Sequence, residues 1–282
     1  MSIRWTRRDV LRAGTLISAA AIAGCGERAP DTTSDAVSRP RRGGRLRLGI
    51  IDGNQAGNLD AHKPVGGGTI RGFALYSKLW EWSDRMQPQL ALAEEAETNA
   101  HATEWTIRLR QGLEFHHGKT VSADDVIFSI RRLTDPELAS PYASYVEWVD
   151  RDNLRKLDDR TVRIPIRPGR NFLTLPDAWV NFGGIVPTDY HPVTNPVGAG
   201  PYRFKSFTPG QRSVFTRFEN YFKSGQPYAD ELEIIDFKDQ HVRVAALLAG
   251  QIDMAYSLTH EQVPPLKKNS RVRLITSHTH GW

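Results

Sequence analysis

The groupings of residues that could carry chemistry in this 282-residue chain can be tested on spacing alone. Gly118-Lys119-Thr120 has the form of the end of a phosphate-binding loop. Such a loop needs four residues between its first glycine and the Gly-Lys pair, and Gly112 leaves five. Gly198 and Gly200 are followed by Pro-Tyr-Arg-Phe, which alternates like a strand where a dinucleotide fingerprint needs a helix. His116-His117 falls in a turn. His278 and His280 have the i, i+2 spacing of one strand face, but no cysteine or carboxylate stands beside them to complete a metal set. Asp124-Asp125 and Glu94-Glu95 are adjacent in sequence, and neighbours on a helix point in different directions, which does not suit an acid/base pair. There is no Gly-x-Ser-x-Gly elbow and no His-Glu-x-x-His. The expectation is therefore a protein that is not an enzyme, with no cofactor and no metal. What is left is main chain: Val65-Gly66-Gly67-Gly68 exposes bare backbone, either as a flexible loop or as an edge that pairs with a ligand.

Charge excludes one class of partner. The formal net charge is +5, but residues 1–43 hold eight arginines against four acids and so carry most of it. The remainder is close to neutral, which does not suit a polyanion, and no nucleic-acid partner is expected. Cys25 is the one cysteine, so an internal disulfide is excluded.

The elements that must position any site are clearest between Trp105 and Leu133. Trp105, Ile107 and Leu109 alternate with Thr106, Arg108 and Arg110, the period of a half-buried strand. Ser122 and Asp125 have capping-box spacing, and Val126, Ile130 and Leu133 form one apolar stripe on the helix that follows. Asp135-Pro136 ends it. Strands are also expected at 45–51, 162–166 and 272–276, and helices at 70–79 and 242–255.

This stretch resembles the signature block of the large extracytoplasmic solute-binding proteins of ABC importers, the oligopeptide/dipeptide/nickel-binding family 5. The residues that carry the likeness are Trp105, Leu109-Arg110, Phe115 to Lys119, and Ala123 to Val126. Asn58 to His62, Asp135 to Tyr145, Asn195 to Phe204 and Gly250 to Asp253 resemble further segments of it, with Ala61 and Ala199 departing from the pattern; Gly183 to Pro187 resembles one of its strands, and Phe215 to Tyr221 the end of another. The resemblance implies an α/β, periplasmic-binding-protein-like fold with mixed sheets. It implies a first lobe with an inserted subdomain, and a second lobe absent from this chain. The implied division is 44–69 and 169–270 for the main lobe, 70–168 for the insertion, and 271–282 for the start of a crossover.

It also implies capture of peptides, or a related small solute, outside the cytoplasmic membrane for delivery to ABC permease subunits. Nickel, opine and oligosaccharide carriers share the signature; a membrane-tethered sensor and an exported hydrolase are the readings from other classes. Ligand contacts carry over to Val65, Gly66, Gly67 and Tyr142. Gly67→Pro is expected to weaken peptide binding while lowering the melting temperature little. A single lobe of such a receptor is expected to be marginally stable and to bind peptide no more tightly than about millimolar.

Residues 1–24 read as an export signal: a charged start, a short apolar run and small residues at its end. Arg7-Arg8 resembles the twin-arginine motif, with Val10 and Arg12 departing from it; a Sec leader with paired arginines is the alternative. Ile22-Ala23-Gly24-Cys25 has the form of a lipobox, making Cys25 the expected lipid attachment site and the protein membrane-anchored and extracytoplasmic. Residues 25–43, rich in Pro, Ser, Thr and charge, read as a flexible tether.

Overall fold

Alternation between Glu104 and Leu109 becomes a strand whose Trp105, Ile107 and Leu109 are buried. A fully buried aliphatic side chain contributes roughly 1.5–3 kcal/mol relative to an exposed one, so this face pins the strand's register. The structure is a computed structural model and describes residues 41–52, 57–180 and 183–276. The elements in chain order are β1 (Arg45–Ile51), α1 (Gly68–Leu75), β2 (Trp80–Trp82), β3 (Pro88–Leu90), β4 (Ala93–Thr98), β5 (Glu104–Leu109) and α2 (Ala123–Leu133). A 3-10 turn (Ala143–Val146) leads to β6 (Arg155–Asp158), β7 (Thr161–Pro165), α3 (Leu175–Trp179), β8 (Tyr202–Thr208), β9 (Arg212–Arg217), β10 (Glu231–Phe237), α4 (Gln240–Leu248), β11 (Met254–Ala255) and α5 (Val263–Lys267).

Three sheets result among the described residues. The largest has the order β11-β1-β10-β9-β8; β1 runs parallel to both neighbours and the other pairs are antiparallel, so the sheet is mixed as expected. A wholly antiparallel sheet, β4-β5-β7-β6, is formed by the chain between β1 and β8, and β2 and β3 make a separate pair. Each of the two larger sheets has its own apolar cluster. Trp105, Ile107, Val162 and Ile164 pack with Val126, Ile130 and Leu133 of α2. Ile50, Phe215 and Ile234 pack with Ala74 and Leu75 of α1. α1 therefore lies on the large sheet, and its first turn is held beside the end of β1.

Helix α2 starts as its sequence specifies. Asp125 Oδ2 accepts from the Ser122 N–H at 3.0 Å and the Ser122 hydroxyl at 2.7 Å, closing a capping box of the kind worth about 1 kcal/mol. Other boundaries differ from the sequence expectation. α1 begins at Gly68 rather than residue 70 and ends at Leu75 rather than 79. It stops there because the carbonyls of Ser77, Lys78 and Leu79 accept from Ile185, Leu92 and Ala91 N–H at 2.9, 3.0 and 2.9 Å. Backbone used across elements in this way cannot also bond within a helix. α4 starts at Gln240, because the Asp239 side chain accepts from His241 and Val242 N–H at 2.8 and 2.9 Å. It ends at Leu248, just before Gly250 with its left-handed φ of 71°.

Two expected strands are not formed. In 183–187, Ile185 N–H donates to Ser77 O and Val186 N–H to the Ser129 hydroxyl at 2.9 Å each, single ties rather than a ladder. Residues 272–276 have no ladder partner among the described residues, and alternation alone does not make a strand without one.

Candidate functional site

Asp52 and Arg71 explain the glycines before α1. Gly66 has a φ of 54°, and a Cβ there would stand 2.0 Å from Asp52 Oδ1. At Gly67 it would stand 2.4 Å from both Arg71 Nη1 and Ile50 Cδ1. The Gly67 N–H donates to the Asp52 carboxylate, the Gly68 N–H to Val65 O at 3.0 Å, and the Val65 N–H to Asn58 Oδ1 at 3.1 Å. Gly67 is thus the buried N-cap residue and Gly68 the first helical residue, while Val65 and Gly66 are exposed. Of the main chain singled out in the sequence, Gly66 is the residue that makes no backbone hydrogen bond among the described residues.

Arg71 is fully buried and joins α1 to the large sheet. Its Nη2 lies 2.5 Å from Asp236 Oδ1, its Nη1 3.5 Å from Asp52 Oδ2, and its Nε donates to the Ser213 hydroxyl at 2.9 Å. Its guanidinium also covers the Phe207 ring at 4.9 Å. Burial, with the charge of Asp52 adding to it, holds the Asp236 carboxyl above its usual range against the pull of Arg71. Sequence reasoning missed this cluster. The available signal was an arginine on the apolar side of a short helix, together with an aspartate directly after an apolar strand.

Tyr142 comes from the loop after α2, and a second cluster fixes that loop. Arg132 grips Asp60 with both nitrogens, at 2.7 and 2.8 Å. Burial would raise the Asp60 carboxyl, but Arg132 and the N–H groups of His62 and Lys63 hold it below its usual range. His62 is buried, with Nδ1 3.1 Å from Arg132 Nη1 and Nε2 3.0 Å from Gly184 O. Arg132 can only donate, so Nε2 carries the proton. Burial, and then the nearby charge of Arg132, push this imidazole down to about 4. The His62 carbonyl accepts from the Ser140 hydroxyl, and that hydroxyl accepts from the Tyr142 N–H at 3.1 Å. The Tyr142 hydroxyl ends 3.1 Å from Thr69 Oγ1, in the first turn of α1.

The structure therefore brings Tyr142 to the same helix end that carries Val65, Gly66 and Gly67. Beside Tyr142 and the first two turns of α1 lies a niche of about 20 Å³, lined by Gly68, Thr69, Phe73, Lys78, Tyr142 and Gly183 among others, and not by Val65, Gly66 or Gly67. That is room for about one water-sized group, so the niche suits one functional group of a ligand and not a whole molecule.

The other groupings resolve into structural roles. His116 Nδ1 accepts from the Gly198 N–H at 3.3 Å and Nε2 donates to Gly200 O at 3.0 Å; burial pushes this imidazole down to about 4. Lys119 Nζ lies 2.6 Å from Asp125 Oδ1, tying the turn to the capping box. A Cβ at Gly198 would stand 2.0 Å from Leu75 O, so the glycine there permits the chain to pass under the end of α1. No group of three or more metal-ligating side chains occurs among the described residues. Cys25, His278 and His280 lie outside the described residues.

Comparison with known proteins decides the family. Residues 87–282 match the model of the bacterial extracellular solute-binding proteins, family 5. The chain belongs to that family. Among its relatives, the glutathione-binding protein GsiB of Pectobacterium atrosepticum is 27% identical over 210 residues, covering 72% of this chain and 40% of GsiB. The di/tripeptide-binding protein 2 of Pseudomonas aeruginosa is 28% identical over 221 residues, covering 67% of this chain and 41% of that protein. In fold, the chain is similar to the binding protein AgaA of A. tumefaciens, solved with agropinic acid, at a TM-score of 0.69 and 27% identity over 80% of this chain and 46% of AgaA. This family-5 chain thus spans about two fifths of the length of the curated relatives it matches. No helix among the described residues is long and apolar enough to cross a membrane.

Proposed function

We propose that this chain contributes one wall of a solute-binding cleft that captures peptides, or a related small solute, outside the cytoplasmic membrane for import through ABC permease subunits. The supporting observation is the meeting of Tyr142 with the first turn of α1 at Thr69, 3.1 Å apart, in a chain of family 5. The ligand lies against Val65, Gly66 and Tyr142; Gly67, buried with its N–H on Asp52, supports this edge from behind instead of touching the ligand. Gly66 offers exposed main chain for an extended peptide to pair with, in the manner of strand addition. Binding biases an open–closed equilibrium, and hinge closure presents the form that the permease recognises. The protein performs no chemistry of its own on this reading.

The proposed organisation is a main lobe of residues 44–69 and 169–270 around an inserted subdomain of 70–168, with 271–282 starting the crossover. Residues 1–24 act as the export signal, 25–43 as the tether, and Cys25 carries the lipid that keeps the protein at the membrane. The ligands these relatives are named for are glutathione, di- and tripeptides and agropinic acid, which together favour small solutes bearing a carboxylate.

Native mass spectrometry of the chain in a mixed di- and tripeptide library tests the reading. Peptide adducts of about millimolar strength are expected. A spectrum free of adducts at saturating library concentration contradicts it.

A further inference from the structure

The face of the large sheet turned away from α1 serves neither apolar cluster and carries none of the proposed ligand contacts. Leu232 and Ile234 of β10 and Phe215 of β9 point into the cluster beneath α1, so their neighbours Glu231, Glu233 and Thr216 point the other way. α4 covers the far end of that face, where a Cβ at Gly49 would meet Ile252, Phe237 and Arg243. The near end, at the start of β1, carries a ladder of charges. Glu231 is shared by Arg45 and by Lys205, the latter at 2.6 Å. Glu233 is shared by Arg45 at 3.4 Å and Arg212 at 3.3 Å. Arg203 lies in the same cross-strand row as Thr216 and Glu231, with Nε donating to Thr216 Oγ1 at 3.2 Å. Arg47 closes the edge on Asp253 at 2.8 Å.

The layering separates this ladder from an ordinary solvated surface. The side chains of Glu231 and Glu233 are 13% and 7% exposed, while those of Arg45, Lys205 and Arg212 are 53%, 53% and 63% exposed. The carboxylates are sealed under the cations, so the field leaving this face is positive. Exposed ion pairs contribute little to stability, which leaves the surplus of cations without a folding role. The chain also enters the described structure at this end. The Gly43 N–H donates to Tyr228 O and the Gly44 N–H to Asp230 Oδ2, both at 2.9 Å, and Arg42 Nη2 donates to Gly225 O at 2.6 Å. The Arg42 guanidinium lies 6.0 Å over the exposed Tyr228 ring. Residues 42–44 are thus fixed beside the start of β1 and its Arg45.

We infer that this basic end of the large sheet docks on the anionic phospholipid headgroups of the membrane to which Cys25 is tethered. The docking depends on the reading of Cys25 as lipidated and of residues 25–43 as its tether. Fully extended, that tether reaches about 60 Å, so it permits the contact without enforcing it. A bilayer with anionic headgroups attracts basic residues held at its surface, and an acyl anchor joined to a basic patch holds where a single chain does not. The proposed ligand surface stays clear of the bilayer. Gly67 bonds Asp52, just beyond the opposite end of β1, and this seven-residue strand is about 20 Å long.

The test reads position and not pelleting, because the arginines of residues 1–43 can hold the chain on anionic vesicles without the sheet. The 282-residue chain carries Cys25→Ser and one environment-sensitive fluorophore, attached through Ser206→Cys on the basic face or through Glu137→Cys in the loop after α2. Vesicles are phosphatidylcholine alone or with about one third phosphatidylglycerol, and some headgroups bear a nitroxide quencher. Quenching is expected at 206 and not at 137, with phosphatidylglycerol only, and it should fade as sodium chloride is raised. Arg203→Gln combined with Lys205→Gln should lower the ratio of docked to undocked chain roughly tenfold. Both side chains are exposed, and the salt series reads the docking independently of the variant. Equal quenching at both positions, equal quenching on both kinds of vesicle, or no response to the double substitution overturns the inference. So does tighter binding at 206 of soluble polyglutamate than of phosphatidylglycerol vesicles of equal anion content, which assigns the face to an acidic protein. Quenching at 206 with no palmitate on wild-type Cys25 keeps the docking face and removes the tether reading. Palmitate on Cys25 with no quenching at 206 keeps the tether and removes the docking face.

Discussion

The Tyr142 hydroxyl lies 3.1 Å from Thr69 Oγ1, joining the loop after α2 to the first turn of α1 across 73 positions of sequence. That contact depends on two prior anchors, the Asp60–Arg132 pair on the loop side and the Asp52–Arg71–Asp236 cluster on the sheet side. Both anchors use charge that is largely or fully buried.

Gly67→Pro should unfold the protein more readily than the bare glycine run implies. The sequence suggests an exposed loop, but Gly67 is buried and its N–H satisfies the buried Asp52. Removing that donor should cost roughly 1–3 kcal/mol, with proline's ring clash near Arg71 adding to it. Equilibrium denaturation in urea reads the loss; a midpoint equal to wild type would show that the Asp52 contact is not made.

Stability should fall on acidification before the carboxylates titrate. His62 and His116 are both pushed from 6.5 to about 4 by burial. Their lowered folded values mean that the unfolded chain binds protons first. The stability they contribute is complete above pH 6.5 and is lost as pH falls towards 4, by on the order of 3 kcal/mol per histidine at most. Asp236, raised on folding, works in the opposite direction. Denaturation midpoints measured between pH 7 and pH 5 check the sign: a flat or rising profile towards acid would mean that neither imidazole is buried neutral.

Cys25→Ser should abolish labelling of the exported protein by palmitate and release it from membranes. Labelling of the mutant equal to wild type would remove the lipobox assignment.

The legible parts of the fold were those with local causes. Trp105, Ile107 and Leu109 alternate because one face of β5 is buried, and Ser122 with Asp125 caps α2 through atoms three residues apart. The start of α1 was not legible, because consecutive glycines argue against a helix until Asp52 and Arg71 are seen crowding them. Its end was hidden too: Tyr76 to Leu79 continue the apolar pattern, and only the bonds from Ala91, Leu92 and Ile185 divert them. At the candidate site the sequence pointed to Val65–Gly67 and Tyr142 separately, and the meeting at Thr69 is a tertiary fact. Arg71 and Lys78 escaped notice because a charged residue in sequence reads as solvent-facing, and burial is what makes them informative.

Backbone amide NMR of the 282-residue chain during titration with a di- and tripeptide library tests the central claim most directly, because it reports where a solute sits as well as whether it binds. The account predicts saturable shifts, in about the millimolar range, gathered at Val65, Gly66, Thr69 and Tyr142. Shifts centred on any other surface, or none at those four residues while peptide is demonstrably bound, would contradict it.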